Sequence, residues 1–352
     1  MVEDSTPVRL PMFGVRVPPC DTVTRTADCI VRAEHAGFQT AWVPDSQFLF
    51  RDAWMTLGAA APVTGRIRLA TGVTNVRTRH PSVTAAALQS LEEVAPGRAV
   101  LGIGTGDSSV KALGFGPTPL AEVERACSDI RTLGRGGSVD EPERSMRLRD
   151  ATGRVPPIFV AATGPRALRL AGAIADGVLI MAGTSPALVQ EAVGHVEDGL
   201  SDAGRSRREV EICVGGVCHI AADSADVVRI AKPHCVGDAQ RGAVPALRRA
   251  GVEINGTVPQ HIPDVYPDIT HAEDWDRAVE VAGRWITDDA AARFAAQFTL
   301  IGTADDVEAR VRAAVTAGAD SFYLRHFRSY VLPEDLIDTF GSTVMGRFID
   351  GP

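Results

Sequence analysis

Short apolar runs and amphipathic stretches alternate along this chain in a repeat that few folds accommodate. Eight runs, at residues 10–17, 40–44, 67–73, 99–103, 157–161, 177–181, 210–220 and 321–327, read as strands. Between them lie helical stretches with their own punctuation. Residues 22–36 place Val23, Ala27, Ile30 and Val31 on one face, and Gly37 stops them. Residues 81–91 open on a proline, and 166–174, 186–200 and 304–317 follow the same scheme. Eight β-loop-α units close a parallel sheet without leaving edges, so the predicted fold is an α/β (β/α)8 TIM barrel. A doubly wound open sheet is the rival, but no GxGxxG follows the first strand.

The length of 352 residues fits one barrel domain over 1–352, with a helical insertion at about 255–297 before the last strand. An insertion that long is expected to shape the mouth of the barrel. Residues 133–155, rich in Gly, Arg and Glu, read as a mobile loop. The net charge of −8, with no dense basic cluster, excludes a nucleic-acid partner. No apolar run approaches the roughly 18 residues that span a bilayer. Met1 to Ser5 is acidic with no apolar core, unlike a signal peptide, so the cytoplasm is the expected location. The six cysteines form no CxxC pair and read as buried reduced thiols; no HxH, HExxH or Cys/His cluster exists, so no metal is expected.

In a barrel the chemistry gathers at the C-terminal ends of the strands. Strand two ends in Val43-Pro44-Asp45-Ser46, where Asp45 is either a helix cap or a group aimed into the mouth. Strand three ends in Thr71-Gly72-Val73-Thr74-Asn75; glycine inside a strand marks a bulge or a ligand's close approach. Strand four ends in Gly104-Thr105-Gly106-Asp107-Ser108, which is either an anion-binding turn or a plain tight turn. Strand five gives Ala161-Ala162-Thr163-Gly164, a second small-residue turn into a helix. Strand eight ends in Arg325-His326, candidates for a substrate or cofactor phosphate, or for a salt bridge to a loop carboxylate.

Taken together, these ends resemble the luciferase-like flavin and deazaflavin oxidoreductases. The likeness rests on Thr71-Gly-Val-Thr-Asn75, Thr78-Arg-His-Pro81, Ser90-Leu-Glu-Glu, the run from Gly97 to Asp107, Ala162-Thr-Gly-Pro-Arg166, Ala175-Asp-Gly-Val178 and Ala203-Gly-Arg205. The nearest branch is the methylenetetrahydromethanopterin-reductase-like one, which uses coenzyme F420. The resemblance implies a cofactor ring lying across the mouth, backed by a non-prolyl cis peptide at Gly72–Val73. It places Asp45, Thr74 and Asn75 near the ring and sets Gly104, Gly106, Asp107 and Ser108 beside it. Ala161, Ala162, Thr163 and Gly164 would approach the tail and its phosphate. It implies hydride transfer between C5 of the deazaflavin and a C=N, C=C or C=O of a small-molecule substrate, with Asp45 or His326 as proton donor and a homodimer as the assembly.

The chain also departs from that branch. Ser46 stands where the reductases often carry histidine, and Arg325 to Arg328 is more charged than the small residues usual there. Ser46, Arg325 and His326 are therefore the candidate substrate residues, and a pterin substrate is disfavoured. A monooxygenase working with reduced FMN is the alternative, and a flavin-binding protein without catalysis is a third reading.

Overall fold

The computed structural model describes residues 10–141 and 144–349. Its centre is eight strands: β1 (Met12–Arg16), β2 (Thr40–Val43), β3 (Arg68–Thr71), β4 (Ala99–Gly104), β5 (Ile158–Ala162), β6 (Gly177–Ile180), β7 (Glu211–Ile220) and β8 (Ser321–Arg325). Each runs parallel to the next, and β8 pairs back onto β1 from Met12↔Ser321 to Val15↔Leu324. The sheet is thus a closed (β/α)8 barrel, and all eight strands lie where the alternation of the sequence puts them.

Both faces of these strands are buried, which is why they read as unbroken apolar runs. Phe13, Val15, Leu101, Val178, Phe322 and Leu324 face outward under the helices. Trp42, Phe159, Leu179, Cys213 and Tyr323 turn inward and fill the barrel. The two sets alternate along each strand, the period of two that a pleated backbone imposes.

The outer ring is α1 (Val23–His35), α2 (Ala53–Ala60), α3 (Pro81–Val94), α4 (Leu120–Gly134), α5 (Pro165–Ile174), α6 (Pro186–Asp202), α7 (Ala304–Thr316) and α8 (Glu334–Phe340). Thr22 caps α1 by accepting from the Arg25 amide, and Thr303 with Asp306 forms a capping box on α7. The lower end of the barrel is plugged by a forked ion pair of Arg68 with Glu211, at 2.9 and 3.1 Å. Ser321 donates to the same carboxylate.

Two regions differ from the sequence expectation. Residues 133–155 contain a β-hairpin, Ser138–Glu141 against Arg144–Arg147. Its second strand has no buried residue, so no apolar alternation announces it. The helical segment between β7 and α7 begins well before residue 255, with Ser224–Gln240 and Val244–Arg249 preceding Trp275–Ala282 and Asp288–Phe298. Pro233 sits inside the first of these helices and breaks its pattern in the sequence. These helices share a core of their own, around Val236, Leu247, Val281, Ile286 and Phe294. Among the described residues no helix is long and apolar enough to cross a membrane.

Candidate active site at the barrel mouth

At the upper end of the barrel lies a cavity of about 900 Å³, roofed by the helical segment 224–298. Its shape begins with a bulge in β3. Between the pairs Ala70↔Val100 and Thr74↔Ile103 the β3 side advances by one residue more than β4. The extra residue falls at Gly72–Val73, whose peptide bond is cis, as the resemblance implied. A Cβ on Gly72 would stand 2.7 Å from Cβ of Trp42, so only glycine lets the bulge lie against the barrel's tryptophan. Thr71 stitches the bulge to β4, donating to the Gly102 carbonyl (2.8 Å) and accepting from its amide (2.9 Å). The Gly72 carbonyl accepts from the Tyr323 hydroxyl at 3.2 Å, which ties β3 to β8 across the barrel.

Beside the bulge the wall is nearly bare of side chains. Val73, Gly104, Gly106, Ala161, Ala162 and Gly164 line it in sequence-predicted positions, with Thr163 at its edge. A Cβ on Gly104 would meet Val73 and Ala161 at 3.3 and 3.5 Å, so the wall is flat because these residues are small. The helix α5 starts directly from this wall with no side-chain cap on its first amides, which leaves them available to an anion. The turn after β4 is different. Asp107 starts a helix of only one turn (Ser108–Lys111), and its own carboxylate pairs with Lys111. Of the two readings of that turn, the tight turn fits the structure.

Asp45, Ser46, Asp107 and Ser108 line the cavity. Asp45 is held from behind: Thr74 donates to it at 2.7 Å and Arg79 Nε at 2.8 Å. Of the two roles read for it, the group aimed into the mouth is the one observed, and Asp52 takes the helix cap. Ser46 and Ser108 hydroxyls meet at 3.2 Å, and Gln47 donates to the Ser109 carbonyl. Thr74 and Asn75 are buried behind the lining: Asn75 donates to Ser109 and Thr78 and so braces the loops after β3 and β4.

Strand eight divides its two candidates. Tyr323 points into the barrel, so the residue two further on, Arg325, does too, and it lines the cavity. His326 takes the opposite face. Its Nε2 meets Asp335 of α8 at 3.3 Å, and its Nδ1 accepts from the Arg328 amide at 3.1 Å. It is absent from the lining, which corrects the expectation that it meets substrate or donates a proton. Contact with a carboxylate, the other reading of this pair, is what His326 makes, and among the described residues Arg325 makes none.

Sequence reasoning missed Arg16, Tyr323, His234, Asp238 and Arg241, all of which line the cavity. Arg16 sits at the end of β1, its guanidinium 5.1 Å from the ring centre of Phe50. It carried a signal, being the one charge in the apolar run of β1. His234, Asp238 and Arg241 come from the helix Ser224–Gln240 and its end, where the helical pattern is hidden by Pro233. Burial, with Arg325 and Arg241 nearby, holds the His234 imidazole well below its ordinary range, so it is neutral.

Known proteins place this architecture. The chain is 31% identical over 313 residues to the 5,10-methylenetetrahydromethanopterin reductase of Methanolobus tindarius, covering 87% of this chain and 91% of that one. It is 33% identical over 204 residues to the F420-dependent glucose-6-phosphate dehydrogenase of Microbacterium testaceum, covering 51% of this chain and 60% of that one. In fold it superposes on the F420-dependent tetrahydromethanopterin reductase of Methanopyrus kandleri with a TM-score of 0.77. That match has 24% identity and covers 96% of this chain and 99% of the other. Residues 6–321 match the luciferase-like monooxygenase family, and the chain belongs to it.

Proposed function

We propose that this protein is an F420-dependent oxidoreductase that moves a hydride between the deazaflavin and a small organic substrate. The observation that carries this reading is the flat, side-chain-poor wall of Val73, Gly104, Ala161 and Ala162 beside the Gly72–Val73 bulge. A planar tricyclic ring needs a wall of that kind, and a volume of about 900 Å³ admits the ring together with a substrate. The choice of deazaflavin over FMN follows the relatives: the Microbacterium dehydrogenase is named for F420, and so is the Methanopyrus reductase that shares this fold.

When bound, the deazaflavin supplies a hydride donor or acceptor at C5; having carbon where a flavin has N5, it does not activate oxygen. The chain's own residues do the rest. Val73 would back the ring. Asp45, with Thr74 and Arg79 already donating to it, acts as a fixed acceptor for a ring N–H and not as the proton donor. The uncapped amides at the start of α5 receive a tail phosphate. The roof of residues 224–298 keeps water from the reacting carbons, which both holds the geometry and protects the hydride. The exposed apolar side chains Met55, Val63, Val83 and Val94, on and between α2 and α3, support a homodimer through that face.

Equilibrium titration with oxidised F420 and with FMN tests the reading. F420 is expected to bind at least about tenfold more tightly, a difference of about 1.4 kcal/mol. Tight FMN binding with no response to F420 would replace this reading with the monooxygenase one. Binding of flavin without turnover of any reduced cofactor would leave the non-catalytic one.

A further inference from the structure

Charge around the cavity does not balance. Four acidic residues line it, and each is already engaged: Asp45 by Arg79, Asp107 by Lys111, Asp238 by Arg241 and Glu191 by Arg249. Two cations remain. Among the described residues neither Arg16 nor Arg325 has a carboxylate within 4.0 Å. Arg16 is only 6% exposed. The Nε–H of Arg325 is enclosed and meets no acceptor.

The two are neighbours by construction. The β1–β8 register runs Gly14↔Tyr323 and Val15↔Leu324, so its next step sets Arg16 beside Arg325 with both side chains on the inner face. Burial, then the nearby Arg241 and Arg16, pushes the Arg325 guanidinium down to about 10, so it remains charged at neutral pH. A third group faces the same space. His234 is buried and lines the cavity; the backbone of Phe327 is its near neighbour, and among the described residues neither ring nitrogen makes a hydrogen bond of good geometry. A buried charge without a counter-ion is costly, and buried polar groups are almost always hydrogen-bonded. Two guanidinia without a carboxylate and a buried neutral imidazole, gathered around one cavity, describe a receptor for an oxyanion, which each can meet with N–H donors.

Building on the F420 reading above, we propose that Arg16, Arg325 and His234 bind an oxyanion of the substrate, making the substrate a carboxylate or a phosphate ester. On that reading the cofactor's own phosphate would be met elsewhere, by the uncapped amides at the start of α5, on the far side of the barrel from β8 and β1. The substrate's reacting carbon then lies between the arginines and the Val73–Ala161 wall, where the ring is placed.

The test is calorimetric titration of succinate, inorganic phosphate and uncharged succinamide into the F420-loaded protein and into the cofactor-free protein. Succinate or phosphate is expected to bind at least about tenfold more tightly than succinamide. Tighter succinate identifies a carboxylate site, and tighter phosphate a phosphate-ester site. Arg325→Met is expected to abolish that preference while F420 affinity stays within about threefold, since it removes a charge and keeps the stem's volume. Equal binding of succinate and succinamide overturns the proposal. So does an Arg325→Met variant that loses F420 affinity along with the anion, which assigns the pair to the cofactor. Should that variant fail to fold, the succinate–succinamide comparison in the unaltered protein still decides. A protein that ignores F420 but prefers succinate overturns the cofactor reading and leaves the anion site standing.

Discussion

The mouth of this barrel has two unlike halves. From β3 to β5 its wall is built mainly of glycine, alanine and one valine, with amides at the start of α5; two carboxylates flank it, Asp45 after β2, braced from behind, and Asp107 after β4. From β7 round to β1 it is built of arginines, a tyrosine and a histidine from the roof, with two cations unmatched. The first half recognises by shape, leaving room where a Cβ would intrude. The second recognises by charge, leaving N–H donors without acceptors. A site divided this way suits two ligands of different character held edge to edge. The sequence motifs on which the family resemblance rests include the strand ends of the shaped half, and Arg325 belongs to the charged one.

The sharpest way to break the shaped half is to fill it. Gly104→Leu would push into Val73 and Ala161, which lie only 3.3 and 3.5 Å from where a Cβ on that glycine would stand. It is expected to weaken F420 binding by about a hundredfold, roughly 2.7 kcal/mol, with the far-UV spectrum unchanged. Fluorescence titration measures it, and near-normal binding would show that the ring does not lie there.

The charged half responds to a smaller change. Replacing Arg16 by Met is expected to weaken oxyanion binding about tenfold or more while thermal stability holds or rises, because an uncompensated buried charge is removed. A fall in stability with oxyanion affinity intact would make Arg16 a structural group. Asp45→Asn belongs to the junction of the halves. It keeps the size of the side chain but weakens the bond from Arg79, and a cost of about 2 kcal/mol is expected in denaturant unfolding. F420 affinity should fall as well, since the ring loses a charged acceptor.

His326 supplies the control. It lies one residue from Arg325 on the outer face of β8, so His326→Gln should leave F420 and oxyanion affinity within about threefold, the range of an indirect effect. Its bond holds the Asp335 carboxyl below the usual carboxylate range. A depressed folded-state value means that the pair adds stability above the unfolded carboxylate range and loses it as pH falls through the folded value. The stability gap between wild type and variant should therefore close on acidification, and it should be small throughout because Asp335 is half exposed. A gap that widens in acid would contradict the assignment.

The fold was legible because a barrel repeats one unit eight times, and each unit carries its own strand, turn and cap. The shaped half was legible for a related reason: glycine and alanine at strand ends are read directly from the chain as Gly72, Gly104, Ala161 and Gly164. The charged half was harder. Strands buried on both faces give no phase, so Ser-Phe-Tyr-Leu-Arg does not say whether Arg325 or His326 faces inward. Tyr323 settles that only once the barrel is closed. Arg16 carried an unused signal, a charge inside an apolar run, but its neighbour in space, Arg325, lies at the other end of the chain, across the seam where β8 meets β1. His234 and Arg241 belong to a helix whose proline hides it, in a segment that touches the barrel only in three dimensions.

A crystal structure of the protein with oxidised F420 tests the division of the mouth most directly. The ring is expected on Val73, Gly104 and Ala161, the tail phosphate at the first amides of α5, and Arg16 and Arg325 out of contact with the cofactor. A cofactor whose phosphate or ring oxygen sits on Arg16 and Arg325 would contradict that division.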